Sequence, residues 1–289
     1  MPPTRWVAAP DADLRCWTRG TGPPVLVVAG GPGFGSHYLD APLTTLLADA
    51  LTLIFYDQRG SGQSSGHAVA SRLTMAQFVA DLDAVRDASG HNRVTILGHS
   101  FGGLLGIHYA LAYPEHVTAL VIVDGDPITY ADWSTFRGVI GTRQSKAAVQ
   151  RLAEMTAPAG WDRRPEAVEE YFRVALLPYF GDTTKAVELT FGFTGRAFEQ
   201  LQATSTAVRR DLGEWDLRGA VADLKVPTLL IYGAAGVFPI AAAERLRALL
   251  PDASLHVLPD VGHFPFLEAP DTFRALVREF LANPRLRRR

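Results

Sequence analysis

The residues with the clearest chemical potential are Gly98-His-Ser-Phe-Gly102. A serine between two glycines, on a sharp turn from a strand into a helix, is held with its hydroxyl clear of the backbone. The helix that follows offers free backbone N–H groups beside it. Such a serine can attack a carbonyl carbon, provided a base takes its proton. Of the eight histidines, His263 in Asp260-Val-Gly-His-Phe-Pro-Phe266 is the candidate base. Histidine is a side-chain type suited to that proton transfer, and this one stands in a loop just after a strand-like run and follows the serine in chain order. A glycine-rich turn, Ala29-Gly-Gly-Pro-Gly33, ends another strand-like run. It can bring a backbone N–H, that of Gly31, towards Ser100, and the N–H of Phe101 supplies a second. Two such donors would hold a developing oxyanion, each worth a factor of about 10²–10³. The turn could also be a plain tight turn. It fits neither dinucleotide nor P-loop spacing, and no lysine follows it.

These residues need a scaffold that brings several strand ends together. Val25-Leu-Val-Val-Ala29, Leu51-Thr-Leu-Ile-Phe-Tyr56, Val94-Thr-Ile-Leu97 and Ala119-Leu-Val-Ile-Val123 are short continuous apolar runs, the pattern of strands buried on both faces. Thr228-Leu-Leu-Ile-Tyr232 and Ser254-Leu-His-Val-Leu258 repeat it near the end. Between them lie helical periods: Met75, Phe78, Val79, Leu82 and Val85; residues 101–113; residues 240–250; and Phe273, Leu276, Val277, Phe280 and Leu281, stopping near Pro284. Strand–helix alternation predicts an α/β fold with a mostly parallel sheet. From about Pro127 to Trp215 no strand is expected. Helical periods loosen there and aromatic residues crowd in, among them Tyr130, Trp133, Trp161, Phe172, Phe191 and Phe193. This stretch reads as a helical insertion over one end of the sheet.

With 289 residues, 47% hydrophobic and 20% charged, the chain is long enough for one large core with an insertion. No apolar run approaches the ~20 residues of a membrane span. A net charge of −2 gives no footprint for nucleic acid. The single cysteine, Cys16, excludes an internal disulfide and a cysteine-built metal site. No secretory signal opens the chain, so a cytoplasmic location is expected. Lysine occurs only at Lys146, Lys185 and Lys225, and this arginine and alanine bias suggests a GC-rich bacterial genome. The basic tail 285–289 reads as a solvated end.

The elbow, Gly30-Gly-Pro-Gly33, Tyr56-Asp-Gln-Arg-Gly-Ser-Gly-Gln-Ser64 and Trp215-Asp-Leu together resemble the α/β-hydrolase fold superfamily. The likeness is to its proline iminopeptidase-like branch, with that branch's HGGPG and DQRGxGxS signatures. The resemblance implies an α/β-hydrolase core of residues 1–127 and 216–289 and a helical cap of 128–215, inserted after the strand that follows the nucleophile helix. The segment from Asp57 to Ser64 would be mainly a structural turn. Ala29 stands where that branch usually has a histidine.

A second departure bears on the chemistry. The family normally reads Gly-x-x-Asp after the strand ending at Tyr232, and that aspartate orients the histidine; this chain reads Gly233-Ala-Ala-Gly236. Some members of the superfamily carry the acid after the strand next to the elbow strand. Here that position reads Val123-Asp-Gly-Asp-Pro127, making Asp124 the first choice and Asp126 the second. Both aspartates could equally cap a turn, and Gly236 could be an altered position. Asp260 reads as a turn residue.

The expected activity is serine hydrolysis by acyl transfer, with no metal or organic cofactor, on a small ester, lactone, amide or N-terminal peptide bond. The resemblance suggests cap carboxylates for a free amine; the cap's Glu154, Glu166, Glu169, Glu170, Glu188, Glu199 and Glu214 read equally well as solvated helix faces. Two alternatives stand beside it: a lyase, cyclase or isomerase reusing the Ser-His pair for proton transfer, and a ligand-binding protein on a hydrolase scaffold.

Overall fold

The computed structural model describes residues 4–66, 70–157, 164–193 and 197–283. His67, Trp161, Pro284 and the basic tail lie outside the described residues. Eight strands form one sheet: β1 Arg5–Ala9, β2 Ala12–Arg19, β3 Pro24–Val28, β4 Thr52–Tyr56, β5 Val94–His99, β6 Val117–Val123, β7 Thr228–Gly233 and β8 Ala253–Leu258. Their order is β1-β2-β4-β3-β5-β6-β7-β8. The six strands from β4 to β8 run parallel, while β1 and β2 are antiparallel to each other and β2 is antiparallel to β4.

The helices are α1 His37–Leu47, α2 Met75–Ala88, α3 Phe101–Ala112, α4 Tyr130–Ser134, α5 Phe136–Arg143, α6 Lys146–Met155, α7 Pro165–Ala175, α8 Ala197–Leu212, α9 Arg218–Val221, α10 Ile240–Leu249, α11 Pro265–Glu268 and α12 Pro270–Ala282.

The continuous apolar runs follow from burial on both faces. Along β3, β6 and β7, Val25, Val27, Val121, Val123, Leu229 and Ile231 enter one core with Leu39 and Leu43 of α1 and Phe273 and Val277 of α12. The alternate residues Leu26, Val28, Leu120, Ile122 and Leu230 enter the other, against Phe78 and Leu82 of α2, Leu104 of α3 and Leu246 of α10. Each fully buried side chain of this kind contributes about 1.5–3 kcal/mol, so all central strands favour this two-sided arrangement.

No strand is expected from the sequence before Val25, yet β1 and β2 form a hairpin there. Only β1 is an edge strand, with Trp6 53% exposed; β2 pairs with both β1 and β4, and its buried residues are interrupted by exposed Asp13 and Thr18. The turn is made by Pro10 and Asp11, the latter at φ +61°. Such a half-buried pattern lacks the apolar run that marks the inner strands.

Between β6 and β7 the described residues hold helices and 3₁₀ turns, and no named strand. The segment leaves and re-enters at one place, where Thr129 and Asp216 form an isolated antiparallel bridge. Tyr130 N–H donates to the Trp215 carbonyl at 2.8 Å and Leu217 N–H to that of Ile128 at 2.9 Å. No helix among the described residues is long and apolar enough to cross a membrane.

His108, on α3, is expected from sequence to be packed or satisfied. It is packed, but its Nε2 has no hydrogen-bond partner among the described residues. Burial lowers its pKa to about 4, with Asp211 pulling weakly the other way. Because the folded pKa lies below the unfolded value, its neutral form contributes fully above pH 6.5, and stability falls as pH drops towards 4. Denaturant unfolding at about pH 7 and pH 5 should therefore show wild type losing more stability than His108→Gln. The expected difference is about 1–2 kcal/mol, from a slope of at most about 1.4 kcal/mol per pH unit. An identical loss in both proteins would contradict it.

Candidate active site

Ser100 stands at the junction of β5 and α3, with φ +56° and ψ −126°. A non-glycine residue with positive φ is strained, and the surrounding packing must hold it there. Its neighbours show how. A Cβ on Gly98 would come within 2.3 Å of the Gly102 carbonyl oxygen, and one on Gly102 within 2.2 Å of the Val28 carbonyl oxygen. Only glycines let helix and strands close this tightly. Ser100 N–H donates to the Val123 carbonyl, and Gly103 and Asp126 N–H both donate to the Ser100 carbonyl at 2.9 and 3.0 Å. The Ser100 backbone is thus tied to β6 and to the turn after it.

That turn places the two aspartates differently. Asp124, at φ +42°, sends its N–H to the Ile231 carbonyl of β7. Its Oδ2 accepts the Gly233 N–H at 2.8 Å, and its Oδ1 lies 2.9 Å from Nδ1 of His263. Asp124 and His263 are 1% and 3% exposed. A carboxylate that accepts both a backbone N–H and Nδ1–H fixes the imidazole tautomer and leaves Nε2 unprotonated for proton transfer. Asp126 faces the other way. Its Oδ1 is 3.4 Å from Ser100 Oγ, and its Oδ2 is paired with Arg209 of α8 at 2.7 Å.

Gly236, where the resemblance expects an acid, shows why none fits. A Cβ there would lie 3.1 Å from both carboxylate oxygens of Asp124 and 2.9 Å from the Gly233 carbonyl oxygen. The space a side chain from position 236 would enter is filled by Asp124. Arg143 of α5 further pins this loop by donating to the carbonyls of Ala235 and Gly236.

The glycine-rich turn after β3 meets the site through a buried chain of hydrogen bonds. Gly30 N–H donates to the Tyr38 hydroxyl at 2.8 Å, and Tyr38 O–H lies 2.7 Å from His99 Nδ1. Nε2 of His99 lies 2.8 Å from the His263 carbonyl, so it carries the proton and donates. Burial, with His263 close by, holds the His99 pKa well below the usual histidine value, which keeps it neutral as this chain requires. One neutral histidine thereby links the turn that holds Gly31 to the loop that holds His263. The N–H of Gly30 is committed to Tyr38, and a Cβ on Gly30 would meet the Ser100 Cβ at 2.9 Å, so it is Gly30 that packs against the serine; Gly31 follows it at φ +124°. Phe101 is the first residue of α3, where an N–H has no intrahelical acceptor.

Sequence reasoning did not find Tyr38, Arg209 or Glu268. Glu268 accepts N–H groups from Gly181 and Asp182 of the inserted segment and from Gly262 and Phe264 beside His263. Burial raises its pKa against the pull of those donors. His263 N–H also donates to the Tyr179 carbonyl at 2.7 Å, so the inserted segment clasps the histidine loop. Among the inserted segment's carboxylates, Glu169 accepts the N–H groups of Phe191, Gly192 and Phe193, while Glu154, Glu170 and Glu188 bond within their own helices or turns. In the segment from Asp57 to Ser64, Asp57 accepts N–H groups from Ser36 and Gln63, and buried Arg59 pairs with Asp81. Asp260 sits in a turn at φ +58°. Among the described residues no group of three His, Cys, Asp or Glu side chains could hold a metal ion.

Comparison with known proteins gives a consistent picture. A family model described as the alpha/beta hydrolase fold matches residues 23–270. The chain is 24% identical over 269 residues to a proline iminopeptidase of Saccharolobus solfataricus, covering 91% of this chain and 86% of that one. It is 28% identical over 265 residues to a putative carbamate hydrolase, RutD, of Escherichia coli (strain K12 / DH10B), covering 90% and 92%. A crystal structure of proline iminopeptidase from Mycobacterium smegmatis superposes with a TM-score of 0.75 at 26% identity, covering 97% of this chain and 98% of that one.

Proposed function

The chain belongs to the alpha/beta hydrolase fold family, and from that premise we propose a serine hydrolase whose triad acid has moved from the end of β7 to Asp124 at the end of β6. The observation that carries the reading is the 2.9 Å contact between Asp124 Oδ1 and His263 Nδ1, deep in the protein, on the same turn whose Asp126 N–H ties back to the carbonyl of Ser100, a serine held at positive φ. Its relatives include enzymes named as a proline iminopeptidase and a putative carbamate hydrolase, both consistent with attack on a carbonyl.

In this mechanism Ser100 Oγ attacks the carbonyl carbon of a small-molecule or short-peptide substrate while His263 Nε2 takes its proton. Asp124 keeps Nδ1–H in place and stabilises the imidazolium that forms. The N–H groups of Gly31 and Phe101 receive the oxyanion. As the tetrahedral intermediate collapses, His263 returns the proton to the leaving group, giving an acyl-enzyme. Water then repeats the sequence and frees Ser100. The segment 128–215 serves as a cap, joined to the histidine loop by the Tyr179 carbonyl and by Glu268. No metal or organic cofactor enters the scheme.

A fluorophosphonate probe tests this directly, because it phosphonylates an activated serine. The expected product is one adduct per chain, by intact mass, located at Ser100 by digestion and absent in Ser100→Ala. An unlabelled protein, or an adduct elsewhere, would contradict the reading and favour a binding protein or non-hydrolytic chemistry.

A further inference from the structure

Tyr179 ends a short 3₁₀ turn, Leu177–Tyr179, in the inserted segment. Its carbonyl accepts the His263 N–H at 2.7 Å, and a Cβ on Gly262 would come within 2.3 Å of that same oxygen. The next residue, Phe180, stacks on Phe264 with ring centres 4.7 Å apart, and Gly181 and Asp182 donate to Glu268. The backbone of Tyr179 is therefore fixed to the loop that carries the base. Its ring stands edge-on to the imidazole of His263, with 5.3 Å between centres and 65° between planes.

The hydroxyl lies near the pair beside the serine. Burial raises the phenol's pKa, the Asp126 carboxylate adds to this, and Arg209 opposes it. Asp126 Oδ1 in turn stands 3.4 Å from Ser100 Oγ. A side chain that meets the imidazole with its ring and Asp126 with its field spans the flank between His263 and Ser100. The leaving atom must sit on that flank, because His263 hands it a proton. The hydroxyl is also unspent. Tyr38 donates or accepts at Gly30 and His99, Tyr232 donates to the Gly125 carbonyl, and the Tyr56 hydroxyl is enclosed without a partner. Tyr179 is half-buried, and its oxygen is neither enclosed nor hydrogen-bonded among the described residues.

We propose that Tyr179 is a catalytic residue whose O–H donates a hydrogen bond to the leaving atom as the acyl bond breaks. The inference rests on the serine-hydrolase reading and adds a leaving-group role to it. For an ester, the bond from the acyl carbon to the leaving oxygen breaks and the electron pair stays on that oxygen. His263 Nε2–H supplies the proton and becomes neutral, while Tyr179 keeps its own. Its hydrogen bond stabilises the charge on the oxygen until the proton has moved.

Such help matters in proportion to the charge the oxygen must carry. A para-nitrophenolate is a stable anion that leaves readily, whereas an ethoxide is not. Tyr179→Phe keeps the ring and the backbone and deletes the hydroxyl. The measurement is kcat/KM, which reports acylation, on para-nitrophenyl butyrate and ethyl butyrate, two esters of one acyl group. The loss in the variant is expected to be about tenfold larger on the ethyl ester, the worth of one hydrogen bond. The ratio of the two rates within one protein does not depend on the folded fraction, so partial misfolding cannot imitate it. Tyr179→Leu, which removes the ring as well, should show the same shift in ratio on top of a loss common to both esters. An equal loss on both esters, no loss in Tyr179→Phe, or a wild type phosphonylated at Ser100 that hydrolyses neither ester would overturn the inference and leave the hydrolase reading standing. A wild type that is not phosphonylated would overturn both.

Discussion

Asp124→Asn is expected to lower turnover by about 10⁴, the usual consequence of replacing a triad acid, while Asp126→Asn lowers it about tenfold or less. The asymmetry follows from what each carboxylate touches. Asp124 accepts from both Gly233 N–H and His263 Nδ1. An asparagine there can present an N–H to Nδ1, which turns the proton to Nε2 and removes the base Ser100 needs. Asp126 is engaged with Arg209 and makes only a 3.4 Å contact with Ser100 Oγ, so its loss leaves the carboxylate that holds His263 Nδ1–H in place. The check is kcat/KM on a para-nitrophenyl ester, with circular dichroism to show that both variants fold. Equal losses in the two variants would contradict the assignment of roles.

The second large effect is a transplanted acid. Gly236→Asp alone should be harmful, because its Cβ would lie 3.1 Å from both oxygens of Asp124 and two carboxylates would compete for His263. In an Asp124→Ala background the carboxylate is gone and only the Gly233 carbonyl oxygen, 2.9 Å from the new Cβ, has to give way, after which the same Gly236→Asp change can aim a carboxylate at Nδ1. The double variant is expected to recover about 10² of the ~10⁴ lost by Asp124→Ala. It falls short of full recovery because the Gly233 N–H loses its acceptor and the carboxylate starts from a different strand end. The pairing is a cycle in which the two changes are strongly non-additive. A double variant no more active than Asp124→Ala would show that the loop after β7 cannot deliver an acid, and would remove the equivalence of the two positions on which the relocation argument depends.

The inner strands were legible because two-sided burial demands unbroken apolar runs, and β3, β5, β6 and β7 all carry them. The elbow was legible because its glycines are needed at close backbone contacts, which sets their spacing around Ser100. The β1–β2 hairpin was not, since β1 is an exposed edge and polar residues such as Asp13, Arg15 and Thr18 break the run along β2. Asp124 and Asp126 could be ranked from sequence only by analogy. They share one turn, and what separates them is backbone direction: Asp124 N–H follows β7, while Asp126 N–H turns back to the Ser100 carbonyl. The contacts of Tyr38 with His99, of Arg209 with Asp126 and of Glu268 with the inserted segment left no local trace, since their partners lie 61, 83 and 86 or 87 positions apart. Polar groups so distant in sequence acquire partners only when the sheet and the inserted helices have come together.

In the proposed mechanism the His263–Asp124 couple activates Ser100. Its most direct test is the second-order rate of Ser100 phosphonylation by a fluorophosphonate in wild type, Asp124→Asn and Asp126→Asn, followed by intact mass. The account predicts rapid stoichiometric modification of wild type, a collapse of the rate in Asp124→Asn, and a rate near wild type in Asp126→Asn. Slow modification that is the same in all three proteins would contradict it.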